Sequence, residues 1–328
     1  MRIRAKHIIP FCVIAAMAMF SPLVANAQID AQLTQYWAVP AYYNPAATGN
    51  TDFIHITGGS RLQWLGIKHA PLSFHVLGDM PFKVLNKRVG VGVSLQQESI
   101  GLYRTLNAGA QGSFKFKLLG GTLSAGIQLG MINQTFKATE KVIPENDDAH
   151  TSTDDAIPET DVSGTAFDIG AGVFFQHKYF WAGASVAHIN APSVTLKASQ
   201  EAEDQYEYNV GRFYYFMAGS NIPIKNTLFE IQPSVFVKSD LQFVGVEATA
   251  RIRYNKFISG GVAYRHKDAV SLMIGAEFKN FYIGYSYDYP ISDIRRATTG
   301  SHELFVSYNV KLDMGERNKN KHKSIRIM

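Results

Sequence analysis

From residue 53 onward the chain alternates apolar residues with small or polar ones in runs of strand length. Val89, Val91, Val93 and Leu95 share one face, and Gly90, Gly92, Ser94 and Gln96 the other. Leu123, Ala125, Ile127 and Leu129 stand opposite Ser124, Gly126, Gln128 and Gly130, and Val270, Leu272, Ile274 and Ala276 opposite Ser271, Met273, Gly275 and Glu277. A period of two is the period of a β-strand, whose successive side chains point to opposite faces. The pattern predicts strands near 53–64, 70–82, 88–100, 102–118, 121–138, 167–178, 179–190, 207–224, 227–240, 241–255, 256–267, 269–279, 281–292 and 300–311. That is fourteen strands, and an even count suits a closed bacterial barrel.

The connections sharpen this. The second, fourth, sixth, eighth, tenth and twelfth centre on Leu85-Asn86, Gly120-Gly121, His177-Lys178, Lys225-Asn226, Asn255-Lys256 and Lys279-Asn280. All but the first of these read as tight turns. The long connections, near 139–166, 191–206 and 292–299, are the fifth, seventh and thirteenth. An outer-membrane barrel has short turns on one rim and long loops on the other. The expectation is therefore an all-β, transmembrane antiparallel β-barrel of about 14 strands with both termini in the periplasm. Past residue 24 no apolar stretch approaches the roughly 20 residues of a membrane helix, so a membrane-bound mature chain has to be a barrel, whose paired strands leave no backbone group unsatisfied in lipid.

The first 27 residues read as a signal peptide. Arg2, Arg4 and Lys6 precede an apolar run from Ile8 to Val24, and Ala25-Asn26-Ala27 fits a small-x-small cleavage site. Cys12, the only cysteine, lies inside that run, so the mature chain holds no thiol. The formal charge of +5, less the three charges of Arg2, Arg4 and Lys6, leaves +2, a poor match to nucleic acid. The expected divisions are 1–27, signal peptide; 28–52, a periplasmic or lumenal segment; 53–311, the barrel; and 312–328, a basic periplasmic tail carrying Arg317, Lys319, Lys321, Lys323 and Arg326. The tail reads as a solvated end or as a docking peptide for an acidic periplasmic partner. The loop 139–163 is acidic, with Glu140, Glu145, Asp147, Asp148, Asp154, Asp155, Glu159 and Asp161 against Lys141. It lacks the D-x-D-x-D-G spacing of a calcium loop, which leaves a solvated loop.

Aromatic residues gather near strand ends, as in Tyr179-Phe180-Trp181, Phe213-Tyr214-Tyr215-Phe216 and Tyr285, Tyr287 and Tyr289. Interfacial girdles explain them. Alternation puts Glu230, Glu247, Arg251, Arg253, Lys115 and Lys117 inside the lumen. On the lipid face a midplane Lys or Arg would cost about 2–4 kcal/mol. Such charges form either an internal salt-bridge network or the lining of a selective pore. No catalytic constellation is legible. His302-Glu303 lacks a second histidine at zinc-protease spacing, and no nucleophile elbow, P-loop or dinucleotide fingerprint occurs. No enzyme activity, cofactor or metal is expected.

An ordered set of short motifs resembles the PorP/SprF family. It comprises Gln35-Tyr36, Asn44-Pro45-Ala46, Gly49, Arg61, Gln63 and Trp64, then Gly90-Val91-Gly92. It ends with Tyr264-Arg265, Asp268-Ala269, Gly284-Tyr285-Ser286-Tyr287-Asp288 and Gly300-Ser301-His302-Glu303. The resemblance implies a FadL-like barrel of the outer membrane, tied to type IX secretion. Such barrels help to export partner proteins or hold them at the cell surface, gliding adhesins among them. The rival reading is a FadL-like or porin-like channel for small or hydrophobic solutes. The motif residues Asn44, Pro45, Arg61, Trp64, Arg265, Tyr285, Tyr287, Asp288, Gly300, His302 and Glu303 are the candidate site. Of these, Arg61, Arg265, Asp288, His302 and Glu303 are expected to form a lumenal polar cluster near the outer rim, serving either its own satisfaction or contact with a partner. Lipid and secretion components or a secreted surface protein are the expected partners.

Overall fold

The computed structural model describes residues 30–84, 87–140, 158–199 and 204–312. The wall is built from β1 (Phe53–Leu62), β2 (Leu72–Val84), β3 (Lys87–Ile100), β4 (Tyr103–Leu118), β5 (Gly121–Phe136), β6 (Val162–Gln176) and β7 (Phe180–Ala187). After a hairpin, β8 (Ser193–Leu196) and β9 (Tyr206–Asn209), it continues through β10 (Phe213–Ser220) and its short extension β11 (Ile222–Pro223). It ends with β12 (Phe229–Ser239), β13 (Val244–Tyr254), β14 (Ile258–Arg265), β15 (Ala269–Phe278), β16 (Phe281–Pro290) and β17 (Ser301–Lys311).

Neighbours in the chain pair antiparallel throughout, β10 pairs with both β7 and β12, and β1 pairs with β17 from Phe53↔Lys311 to Leu62↔His302. With β10 and β11 taken as one broken strand, fourteen strands close on themselves. Closure pairs the backbone of every wall strand on both sides, as a lipid environment demands.

Sequence alternation decides which face points where. Val93, Leu95, Ile127, Leu129, Leu272 and Ile274 are exposed on the outside, Ile274 by 67%. Ser94, Ser124 and Ser271, on the opposite faces of the same strands, are buried. Apolar side chains outside and small polar ones inside invert the pattern of a soluble domain and fit a lipid-facing wall. The even-numbered connections close one rim. Two of them turn on a pair of residues at positive φ, Leu119-Gly120 (47° and 73°) and Asn255-Lys256 (49° and 54°), the twist that suits a tight hairpin. The odd-numbered connections form the other rim.

The structure departs from the sequence pattern in three places. The seventh connection holds the β8–β9 hairpin, so Tyr206–Asn209 is not wall, and the eighth wall strand begins at Phe213 instead of 207. Val194 and Leu196 alternate with Ser193 and Thr195 and bury against Ile132 and Val162, which is why a strand forms there. Second, β6 starts at Val162, paired with Phe136, which shortens the expected fifth connection. Third, Phe213 and Tyr215 are not girdle residues: they point inward and are buried, while Phe216 is exposed.

Of the two places expected for the segment 28–52, periplasmic or lumenal, residues 31–49 take the lumenal one. Leu33, Tyr36, Val39, Ala41, Tyr43, Ala46 and Ala47 are buried in one cluster with the inward Phe174, Tyr215, Met217, Phe236 and Phe305. From Thr51, at the even rim, the segment runs back through the lumen, and Asp30 reaches His188 near the odd rim. The first described residue therefore lies inside the barrel and not on the side where β17 ends.

Candidate functional site

The segment inside the barrel contains no charged residue from Ala31 to Thr51. It presents backbone N–H groups, hydroxyls and amides to a wall that carries the charge. Pro40 and Pro45 each open a helical turn, Pro40–Tyr43 and Pro45–Ala47, where a missing N–H costs nothing and φ is already set. Asn44 caps the second turn: its side-chain oxygen accepts from Ala46 N at 3.0 Å. Its amide nitrogen donates to the Val173 and Ala184 carbonyls at 2.9 and 3.3 Å. One side chain thus ends the first turn, starts the second and fastens both to β6 and β7.

The wall is hollowed to receive this segment. A Cβ on Gly172 would lie 2.2 Å from the Asn44 side-chain oxygen, and one on Gly126 would lie 2.4 Å from Ala46 N. At Gly90 it would lie 2.0 Å from the Thr48 carbonyl oxygen. Thr48 also accepts from Lys115 Nζ at 2.8 Å and donates to Gln111 at 2.7 Å.

Around Thr34 the wall closes a charged lock. Arg61 on β1 meets Asp288 on β16 at 2.6 Å and Glu303 on β17 at 3.4 Å. Arg265, the last residue of β14, meets Glu247 on β13 at 2.8 Å, Asp268 at 3.1 Å and Asp288 at 3.3 Å. The Thr34 hydroxyl donates to the Asp288 carboxylate at 2.9 Å and accepts from Arg61 at 2.9 Å and Arg265 at 3.2 Å. The Glu303 carboxylate accepts the backbone N–H of Thr34 at 2.7 Å and of Gln35 at 2.9 Å. Gln32 donates to Glu247 at 2.9 Å. Two guanidiniums face three buried carboxylates, and the neutral segment supplies the remaining donors. Arg61 Nε and one Glu247 oxygen are without a partner, while the ion pairs and the segment's donors meet the rest of the condition under which buried charge is tolerated.

A second fastening holds Asp30. His188 Nδ1 lies 2.8 Å from Asp168, and its Nε2 lies 3.6 Å from Asp30. The Tyr215 hydroxyl also donates to the Asp30 carboxylate, and Lys238 Nζ donates to its backbone oxygen at 3.0 Å. Burial opposes charge on His188, yet the Asp168 and Asp30 carboxylates push its pKa up to about 10.

The expected cluster is therefore assembled, with one exception. Arg61, Arg265, Asp288 and Glu303 converge in the lumen, but His302 does not. It neighbours Glu303 in β17, and a strand sends adjacent side chains to opposite faces. His302 Nδ1 is 2.6 Å from the Tyr285 hydroxyl, and its ring centroid is 5.2 Å from that of Tyr287. These three motif residues form a patch on the outer face.

Trp64 and Gly300 belong to neither set. They join the first and thirteenth connections on the odd rim, where Leu65 N donates to the Gly300 oxygen at 2.8 Å. Gly300 has φ +118°, and a Cβ there would sit 2.7 Å from the Asp288 carbonyl oxygen. The basic residues Arg317, Lys319, Lys321, Lys323 and Arg326, and most of the acidic loop, lie outside the described residues. So does the Ala27 cleavage site.

Asp30, Asp168, His188 and Tyr215 were not legible as a set. Only the inward parity of Asp168 and Tyr215 could have suggested them.

Several solved outer-membrane proteins are similar in structure. The Ralstonia pickettii toluene transporter TbuX matches at 10% identity over 82% of this chain and 92% of its own, with a TM-score of 0.47. A Pseudomonas aeruginosa FadL homologue gives the same identity, coverage and score. The Acinetobacter baumannii outer membrane protein Omp33 matches at 8% identity over 78% of this chain and 97% of its own, with a TM-score of 0.44. No functionally curated protein matches. The family model described as "Type IX secretion system membrane protein PorP/SprF" matches residues 25–308. That span takes in the lumenal segment, both arginines of the lock and the whole wall but its last strand turn, and the chain belongs to the PorP/SprF family.

Proposed function

We propose that this outer-membrane barrel is a closed, non-enzymatic component of type IX secretion, which supports the export or surface anchoring of a partner protein. The observation that carries this reading is the occupied lumen. A segment of the chain itself fills the passage and is fastened by ion pairs and capped helical turns, an arrangement suited to a rigid platform rather than a conduit. Family membership supplies the secretion context. In this reading residues 1–27 direct export, cleavage follows Ala27, and the even rim with the end of β17 faces the periplasm. The basic tail after Leu312 then meets an acidic periplasmic protein, and the odd rim meets the secreted partner, a gliding adhesin being one type.

The test has two arms. Deleting the gene should strip a co-encoded secreted protein from the cell surface, and normal display would remove the secretion role. Purified protein in a planar bilayer should show no steady conductance. A sustained open channel would favour solute transport instead.

A further inference from the structure

Arg251 sits on the inner face of β13, 9% exposed. Among the described residues it has no carboxylate within ion-pair distance and no hydrogen-bond acceptor, and its Nε is a buried donor without a partner. The nearby acid groups are taken: Arg253 meets Glu230 at 2.7 Å and Glu277 at 3.1 Å. The Arg251 Nε has lost water without gaining an acceptor, which is unfavourable by about 1–3 kcal/mol unless something completes it. The lumenal segment and the wall hold the side chain in place. The Arg251 guanidinium carbon lies 3.1 Å from the centroid of the Trp37 ring, and Gly261 leaves room for its stem, since a Cβ there would meet Arg251 Cγ at 2.5 Å.

This group lines a cavity of about 340 Å³ on the even-rim side of the lumenal segment. Two more unpartnered polar atoms belong to its lining residues, the indole N–H of Trp37 and the side-chain oxygen of Gln232. Trp181, Tyr282 and Phe305 supply an aromatic wall. A guanidinium stacked on an indole keeps its edge free, and that edge matches the two oxygens of a carboxylate.

We propose that this cavity binds a carboxylate carried on an aromatic or apolar body, with Arg251 forking the two oxygens, Trp37 N–H as a further donor, and the aromatic wall covering the body. A peptide's C-terminal residue and a free aromatic acid share this chemistry. The proposal does not depend on the secretion role, because it concerns only what the cavity holds.

The experiment uses the full barrel in detergent. Two of the three tryptophans, Trp37 and Trp181, line the cavity, so their emission reports occupancy. Acetyl-phenylalanine, its amide, and benzoate are titrated separately. The expected result is saturable quenching by at least one acid, with the amide weaker by about ten-fold or more, the loss of a charge-assisted pair. Acetyl-phenylalanine tighter than benzoate would identify a peptide terminus as the source, and the reverse order a free acid. Arg251→Gln should lower acid affinity by a similar factor while retaining heat-modifiable migration on gels. If that variant does not fold, the acid-against-amide comparison on the unaltered chain decides. Equal binding of acid and amide, unchanged binding by a folded Arg251→Gln barrel, or no saturation by either acid would overturn the proposal and leave Arg251 merely hydrated.

Discussion

Arg265 and Arg251 are both buried on the inner face of the wall, and both abut the lumenal segment. Arg265 has Glu247, Asp268 and Asp288 within 3.3 Å and a bond to Thr34. Arg251 has a tryptophan face and no carboxylate. In the first arrangement every guanidinium nitrogen has a partner and the segment is fixed in place; in the second a nitrogen is left without one. The same residue type in the same barrel thus marks a fastening in one place and an opening in the other. What separates them is which inward positions of the neighbouring strands hold acids. Glu247, across from Arg265 in the β13–β14 ladder, meets it, whereas Gln232 and Gly261 flank Arg251.

Removing a carboxylate from the lock should break this contrast most severely. Asp288→Ala leaves Arg61 and Arg265 short of a partner, at a cost of about 3–5 kcal/mol. The urea midpoint of the refolded barrel should fall, and chymotrypsin should cut at Tyr36 to Tyr43, which the intact lumen protects. An unchanged midpoint and continued protection would show that Asp288 is not what holds the segment.

The Asp30 fastening should be weaker and sensitive to pH. His188→Gln removes charge-assisted hydrogen bonds worth about 1.5–3 kcal/mol. In the unaltered chain the His188 pKa rises on folding from 6.5 to about 10. A group raised on folding stabilises fully below its unfolded pKa and ceases to do so above its folded one. Stability from His188 is therefore complete below about pH 6.5 and disappears as pH climbs toward 10. His188→Gln should flatten that decline in urea titrations run from pH 6 to 10.

Filling the hollow wall tests whether fit matters as well as charge. Gly126→Ala places a methyl group against Ala46 N, and overpacking of that kind costs about 1–3 kcal/mol. The expected readout is intermittent conductance in planar bilayers as the segment loosens. Silence equal to that of the unaltered barrel would mean that the segment yields locally instead. The smallest effect belongs to the outer patch: Tyr285→Phe loses one hydrogen bond to His302, about 0.5–1.5 kcal/mol, with the lumen still protected from protease.

Most of the wall was legible in the sequence because a strand's period is local. The faces of β3, β5 and β15 follow from alternation alone, and so does the inward placement of Asp288, Glu247 and Glu303. That rule also separates His302 from Glu303, and an expected cluster that held both overlooked it. The aromatic run 213–216 misled for a related reason: consecutive aromatics look like a girdle, yet alternation sends Phe213 and Tyr215 inward to stack near Phe236, with the Tyr215 and Phe236 centroids 6.0 Å apart.

The segment 31–49 hid its role. Its mixture of small, polar and aromatic residues, broken by two prolines, has neither strand nor helix period, which leaves both a periplasmic and a lumenal place open. Its destination depends on glycines at 126 and 172 and on charges from strands all around the wall, groups that only closure of the ring brings to one place.

The sequence by itself determined that this chain builds a closed wall, apolar outside and polar within, because side-chain alternation and turn chemistry act over a few residues. Only the tertiary structure decided that the wall is filled by its own N-terminal segment, which inward charges hold that segment, and which one is left unmatched. Those outcomes depend on distances between residues more than 200 positions apart, such as Thr34 and Asp288, and no local pattern encodes such distances.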